Sequence, residues 1–306
     1  MGAKTLPVPQ MHGVLVLYKP KGPTSARCLS AIKRLGQKKI GHAGTLDPMA
    51  EGVLLVLLGH ATKISGHLMA DGGKVYSGAL RLGQVTDTWD ETGVVTEEAP
   101  WDTVSEDDVR RAVLSWQGRS EQPVPPYSAA KHQGKPLYAL ARSGKETPEK
   151  VKDIEISHAE VLNVSLPQVR FRVNCSSGTY IRSLAHSLGK RLGCGAVLTE
   201  LTREYSHPFG LDVAHTLDAV LATPERLSEW VLPVTRALPH WPTVVLTAPE
   251  EACVRNGMPL PCMDGTGEDN DGKAVLLSPE GQPLALARQT LLRGERMWTI
   301  IRGLWL

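Results

Sequence analysis

Residues 53–58, Val-Leu-Leu-Val-Leu-Leu, form an unbroken apolar run between Gly52 and Gly59. Bounded by glycines, the run is too short for a helix and predicts a buried strand. Upstream, Val14-Leu15-Val16-Leu17 reads as a first strand. It leads into Tyr18-Lys19-Pro20-Lys21-Gly22-Pro23-Thr24-Ser25, where two prolines and a glycine predict a rigid loop and Thr24 or Ser25 caps the next helix. That helix, about 26–35, puts Leu29, Ile32 and Leu35 on one side. Residues 74–83 alternate as a strand, and a helix over about 105–117 buries Val109, Ala112, Val113 and Trp116. A strand with Phe171 and Val173 on one face ends in a glycine turn, followed by a helix over about 180–192 with Leu184, Leu188 and Leu192 spaced for packing. Two short helical stretches lie within 212–240, and Pro233, Pro239 and Pro242 mark a boundary. The tail alternates β-like runs (244–246, 274–277, 298–301) with Gly/Pro turns and reads as a small β-rich module.

Composition narrows the class. A chain of 306 residues has room for one large domain and a small one. No apolar run approaches the roughly 20 residues that span a bilayer, and residues 1–11 carry no apolar signal core, so no membrane association and a cytoplasmic location are expected. Cys28, Cys175, Cys194, Cys253 and Cys262 include no C-x-x-C pair and read as reduced thiols; the ten histidines show no metal-ligand spacing. Neither a P-loop nor a dinucleotide fingerprint is present, and no cofactor or metal is expected. Net charge is only +2, but residues 1–60 hold eight Lys/Arg against two acids, while 86–108 hold nine acids and no Lys or Arg. A basic face and an acidic face suit a polyanion bound on one side, and equally a dipolar surface without one.

Three stretches carry candidate chemistry. The first, 40–63, reads I-G-H-A-G-T-L-D-P-M-A-E-G-V-L-L-V-L-L-G-H-A-T-K and contains a single Asp, Asp47, before Pro48. Gly41 and Gly44 permit sharp bends, and Pro48 biases Asp47 away from helical angles, which suits a carboxylate mounted on a tight loop. The same Asp-Pro pair also serves as helix-capping or turn chemistry. The second, 123–138, has a proline-stiffened entry and a positive tip in which Lys131, His132 and Lys135 interleave with Tyr127 and Tyr138. Such mixtures suit RNA, gripped through phosphates and stacked bases, as well as an ordinary surface loop. In the third, 169–182, a strand–turn–helix unit ends in Gly178-Thr179-Tyr180-Ile181-Arg182.

The string around Asp47 resembles, nearly letter for letter, the motif that carries the catalytic aspartate in the TruB-type family, the bacterial tRNA pseudouridine-55 synthases. K-P-x-G-x-T-S at 19–25 matches the family's opening motif. P-P-x-Y-S-A-x-K-x-x-G-x-x-x-Y is its RNA-gripping signature, here one residue short because Pro126 directly precedes Tyr127. The resemblance spans about residues 12–240. It implies an α+β fold: a mixed, mainly antiparallel pseudouridine-synthase sheet flanked by helices over 1–240, with the gripping insertion at about 123–152 and extending over Arg142, Lys145, Lys150 and Lys152. A small C-terminal PUA-like RNA-binding domain would fill 241–306, and the acidic loop 263–272 would stay off the RNA.

By the same resemblance, Asp47 is the nucleophile, Arg182 its partner, and Tyr76 the ring that stacks on the target base and a candidate shuttle for the C5 proton. His42 would displace the base, Tyr180 and Leu201 would contact it, and Lys19, Arg203, Lys131 and His132 would complete the RNA contacts. The substrate implied is the T-arm stem-loop of tRNA, acted on by a monomer with no obligatory protein partner. The reaction moves ribose C1′ from uracil N1 to C5 and requires no energy source. Asp47 would attack C1′, help remove the C2′ proton to give a glycal, or attack uracil C6. Two rivals share the scaffold: a guide-RNA-dependent pseudouridine synthase and a non-catalytic RNA-binding or RNA-folding helper. A sugar glycosidase would need a second carboxyl group beside the first, and Glu51 is the only acid nearby in sequence.

Overall fold

The computed structural model describes residues 8–70, 72–143, 148–262 and 271–305. The chain lays down β1 (Gly13–Lys19), α1 (Ser25–Lys33), β2 (Ile40–Ala43), β3 (Glu51–Leu58) and β4 (Lys74–Leu82). It continues through α2 (Glu106–Leu114), β5 (Gly118–Pro123), β6 (Val151–Ser165), β7 (Gln168–Cys175), α3 (Ile181–Leu192) and β8 (Ala196–Ser206). These strands belong to one eleven-stranded sheet with the central order β1-β3-β8-β4-β7-β6-β5. Every pair in that run is antiparallel except β3–β8, which is parallel. The sheet is therefore mixed and mainly antiparallel.

The unbroken apolar run has a direct cause. Leu54, Val56 and Leu58 of β3 enter one hydrophobic cluster, with Phe171, Leu184 and Trp116, while Val53, Leu55 and Leu57 enter another. Alternate side chains of a strand face opposite sides, so a strand covered on both faces has no position for a polar residue. All six are fully buried. The second cluster includes Val275, Leu277, Leu286 and Leu304, so the C-terminal module covers the far face of β3.

That module is a five-stranded sheet containing β9 (Thr243–Val245), β10 (Leu260–Pro261), β11 (Lys273–Leu277), β12 (Pro283–Leu292) and β13 (Glu295–Gly303) in the order β9-β11-β12-β13-β10. The tail pattern marked β9, β11 and β13. It did not mark β12, whose outer half is mostly exposed and ends in Leu291 and Leu292, nor the helix Ala248–Arg255, which opens with a capping box from Thr247 to Glu250. The insertion, expected as a positive loop, contains a two-residue hairpin with Lys131 opposite Pro136 and a helix at Leu137–Arg142. Gln133 and Gly134 both have positive φ (48° and 82°), as a tight two-residue turn requires. Residues 212–240 fold as three short α-helices rather than two, Leu217–Ala222, Leu227–Trp230 and Val234–Ala237. Of the called residues, Lys145 and positions 263–270 lie outside the described residues. Among the described residues no helix is long and apolar enough to cross a membrane, and no cluster of His, Cys, Asp and Glu could hold a metal ion.

Candidate active site

Asp47 sits on the loop joining β2 to β3, and its neighbours fix it. Leu46, Met49 and Ala50 point into the core, while the Asp47 side chain remains 36% exposed. Ser25 Oγ bonds both the amide and the carbonyl of Leu46, each at 3.0 Å. Lys19, at the end of β1, is fully buried, and its ammonium donates to the carbonyls of Ala50 (2.7 Å), Pro20 (2.9 Å) and Pro48 (3.4 Å). A buried ammonium has three protons to satisfy, and all three go to the loops flanking Asp47. Burial lowers the Lys19 pKa, opposed by Cys28, Asp47 and Glu51 and reinforced by Arg203. Lys19 thus braces the aspartate loop from inside.

Arg203 braces the same loop from the other end. It is 1% exposed; Nε donates to the Val53 carbonyl (2.7 Å) and Nη2 to the Gly44 carbonyl (2.8 Å). Gly52, with φ 101°, pairs in parallel with Arg203, and a Cβ there would lie 2.3 Å from the Arg203 carbonyl oxygen. Only glycine lets β3 and β8 come this close. Both basic residues proposed from sequence as RNA contacts are therefore enclosed, because unpaired loop carbonyls in the core need strong donors.

Arg182 comes from the first turn of α3. Its Nε lies 2.9 Å from Asp47 Oδ2; Nη1 donates to the Thr88 carbonyl and Nη2 to the Tyr127 carbonyl, each at 2.9 Å. The guanidinium is 4% exposed and has Asp90 Oδ2 at 3.7 Å. Asp90 is itself buried, its Oδ1 accepting from Thr88 Oγ1 (2.9 Å), Thr92 Oγ1 (2.6 Å) and the Thr92 amide (3.0 Å). The start of α3 is held by Gln122 of β5, whose amide group accepts from the Tyr180 N–H (2.7 Å) and donates to the Tyr180 carbonyl (3.0 Å).

Asp90 and Gln122 were not singled out from sequence. The usable signal for Asp90 was a threonine two residues to each side, the pattern of a side-chain-closed turn. The acidic stretch is not a remote face: Asp90 counters Arg182, and Glu91 pairs with Lys21 at 3.0 Å. A buried guanidinium requires nearby acid.

Tyr76 lies on β4 opposite Arg203 of β8 and is 6% exposed; burial raises its pKa, partly offset by the Arg203 charge beside it. Burial likewise raises Tyr180, which feels the charges of both Arg182 and Asp47. Leu201 is buried two residues before Arg203, facing Gly78 of β4. His42, on β2, is held neutral by burial and by Arg203, and its Nδ1 has no hydrogen-bond partner. Asp47, Arg182, Tyr76, Tyr180 and Arg203 thus form one electrostatic neighbourhood. Lys131 and His132 stand apart on the hairpin, linked to the site through the Tyr127 carbonyl.

A half-exposed carboxylate held at 2.9 Å by a buried arginine, close enough to Tyr76 and Tyr180 for its charge to act on both, is an arrangement chemically able to serve as a nucleophile or a base. Residues 33–181 match the TruB family pseudouridylate synthase N terminal domain. The tRNA pseudouridine synthase B of Nitratidesulfovibrio vulgaris strain Hildenborough is 67% identical over 97% of this chain and 99% of its own length. That of Geobacter sulfurreducens is 41% identical over 96% of this chain and 95% of its own. Among solved structures, a Cbf5-Nop10-Gar1 complex contains a chain that superposes with TM-score 0.70 at 26% identity, over 96% of this chain and 85% of that one. The chain belongs to the TruB family of pseudouridylate synthases and is an isomerase.

Proposed function

We propose that this enzyme is a tRNA pseudouridine-55 synthase, converting a uridine in the T-loop with Asp47 as nucleophile. The observation that carries the reading is the Arg182–Asp47 pair, a half-open carboxylate held at 2.9 Å by a guanidinium fixed on its other nitrogens. The name and 67% identity of the bacterial relatives support tRNA as the substrate.

The target uridine must leave its stack, at a cost of about a few kcal/mol, which stacking in the site offsets. His42, a neutral flat ring, fills the vacated space. Tyr76 and Leu201 bracket the base, and Tyr180 closes its edge. Asp47 then attacks C1′ as the C1′–N1 bond breaks and uracil leaves as its N1 anion. The base turns within the pocket, C5 attacks C1′ and Asp47 is released. The C5 proton departs and N1 takes one up, so atoms and charge balance. Burial keeps Tyr76 a phenol at neutral pH, so it enters as a hydrogen-bond donor and stacking face. Lys19 and Arg203 act by positioning the Asp47 loop.

Lys131, His132 and the rest of the 123–152 insertion grip the T-arm. The five-stranded C-terminal sheet serves as a PUA-like RNA-binding module over 241–306. The enzyme works as a cytoplasmic monomer without an obligatory protein partner. The guide-dependent reading is less favoured because the 67%-identical relatives are named for tRNA.

The test uses a T-arm stem-loop RNA tritiated at uridine C5, with wild type and Asp47→Asn compared for tritium release and binding. Release by wild type alone, with binding by both, is expected. Binding without release from wild type would leave an RNA-binding helper; neither would point to a missing guide RNA or another substrate.

A further inference from the structure

Beside the Asp47–Arg182 pair, three cations meet without an acid. Lys74, the first residue of β4, is 6% exposed, and its ammonium donates to Ser177 Oγ at 2.5 Å. Its stem crosses Gly44, where a Cβ would lie 3.4 Å from Lys74 Cε and 3.3 Å from Arg203 Nη1. From the other side, Lys152 of β6 lies against Gly178, with Nζ 1.7 Å from where a Cβ would stand and 3.5 Å from the Ser177 carbonyl. The charges acting on Lys74 come from Arg203, Lys152 and the Cys175 thiol, and no carboxylate is among them. Burial pushes that thiol up to about 11, so it offers no negative charge at neutral pH. Burial, with Arg203 next, brings Lys74 itself down to about 8.

A buried ammonium facing two further cations is unfavourable unless something anionic joins it. Among the described residues, the Ser177 and Gly178 amides donate to no protein acceptor. Gly178 is exposed and has φ 86°. Two ammonium groups, a hydroxyl and two open amides on a glycine turn match the oxygens of a singly charged phosphodiester. The turn lies two residues before Tyr180, on the rim of the base pocket, so the phosphate that reaches it belongs to the nucleotide entering that pocket.

We propose that Lys74, Lys152 and the 177–178 turn form a subsite for a backbone phosphate flanking the flipped uridine. The inference rests on the RNA-isomerase reading above, and deepens it by assigning how the target nucleotide is registered.

The test is a charge-deletion cycle. T-arm stem-loops carrying a neutral methylphosphonate at one flanking phosphate at a time are titrated against wild type, Lys74→Gln and Lys152→Gln across a salt series. One methylphosphonate should weaken wild-type binding about tenfold, in line with a charge-assisted bond. Each variant should weaken binding of the unmodified RNA by a similar factor, then lose little more with that methylphosphonate. The log–log salt slope should fall by roughly 0.7 to 0.9 for the contact removed. Losses that multiply at every position, or variants with wild-type affinity and salt slope but slower turnover, would overturn the subsite. Lys74 is buried, so exposed Lys152 carries the cycle alone should Lys74→Gln not fold. Tritium release by wild type is scored separately: its absence counts against the isomerase reading, while the cycle is still read on binding.

Discussion

Arg182 Nε stands 2.9 Å from Asp47 Oδ2, with the guanidinium 4% exposed and the carboxylate 36%. The asymmetry has a structural cause. The arginine is walled in by the Thr88 and Tyr127 carbonyls and by Asp90, so it cannot follow the aspartate into solvent. The aspartate keeps one open side, which the proposed mechanism assigns to the ribose.

Substituting Arg182→Lys tests that aim. Lysine keeps the charge but has no planar fork, and it would leave the Thr88 or Tyr127 carbonyl without its donor. Single-turnover tritium release should fall by about 10²-fold or more, the scale of misplacing a reacting group by an ångström. RNA binding, made elsewhere, should stay within a few fold. An equal loss in affinity would place Arg182 on the RNA instead.

Lys19→Met separates bracing from RNA contact. Three carbonyls lose their donor at a fully buried position. Stability in urea should drop by roughly 2–4 kcal/mol. RNA affinity measured on folded protein should keep its salt slope, because no phosphate contact is removed. A slope lower by roughly 0.7 to 0.9 would instead mark Lys19 as a phosphate ligand.

How much of this was readable from sequence depended on range. A buried strand at residues 53–58 followed from pattern alone, and the structure adds that both its faces are covered, which leaves no polar position. Asp47 and Arg182 could be named through motifs, but their 2.9 Å meeting joins residues from opposite ends of the domain, which no local pattern encodes. Lys19 and Arg203 were expected as RNA contacts. Their burial is decided by the Pro48, Ala50, Val53 and Gly44 carbonyls, which appear only when the loop is folded. Asp90 was hidden in an acidic run whose other members are mostly exposed, and Lys74 in a strand where a single lysine signals nothing.

Gly52→Ala and Gly134→Ala form a matched pair. Both positions have positive φ, at 101° and 82°, but a Cβ at Gly134 meets nothing within 4 Å, whereas at Gly52 it meets the Arg203 backbone at 2.3 Å. The conformational penalty is shared, at about 1 kcal/mol. Gly52→Ala should therefore cost about 3 kcal/mol or more, with loss of turnover as the Asp47 loop shifts, while Gly134→Ala remains near the shared penalty. Chemical denaturation of the two variants measures the difference.

His186 should contribute part of the protein's loss of stability in acid. Its ring stacks on Trp89 at 4.2 Å and 5°, and Trp89 is held at φ 62° in the loop that carries Thr88 and Asp90 to Arg182. Burial, with Lys190 second, lowers the His186 pKa to about 4 from 6.5, and its Nδ1 has no partner. The unfolded chain thus binds a proton between those values that the folded chain refuses. Stability from this group is complete above pH 6.5 and is lost as pH falls toward 4. At pH 5 the loss is on the order of 1–2 kcal/mol. His186→Phe keeps a ring for Trp89 and removes the titration, so its loss of stability from pH 7.5 to pH 5 in urea should be smaller than wild type's by about that amount. His60, also lowered to about 4, leaves a residual acid sensitivity in the variant. An unchanged pH dependence would mean that His186 is not held neutral by its burial, and that the loop carrying Asp90 does not depend on its charge state.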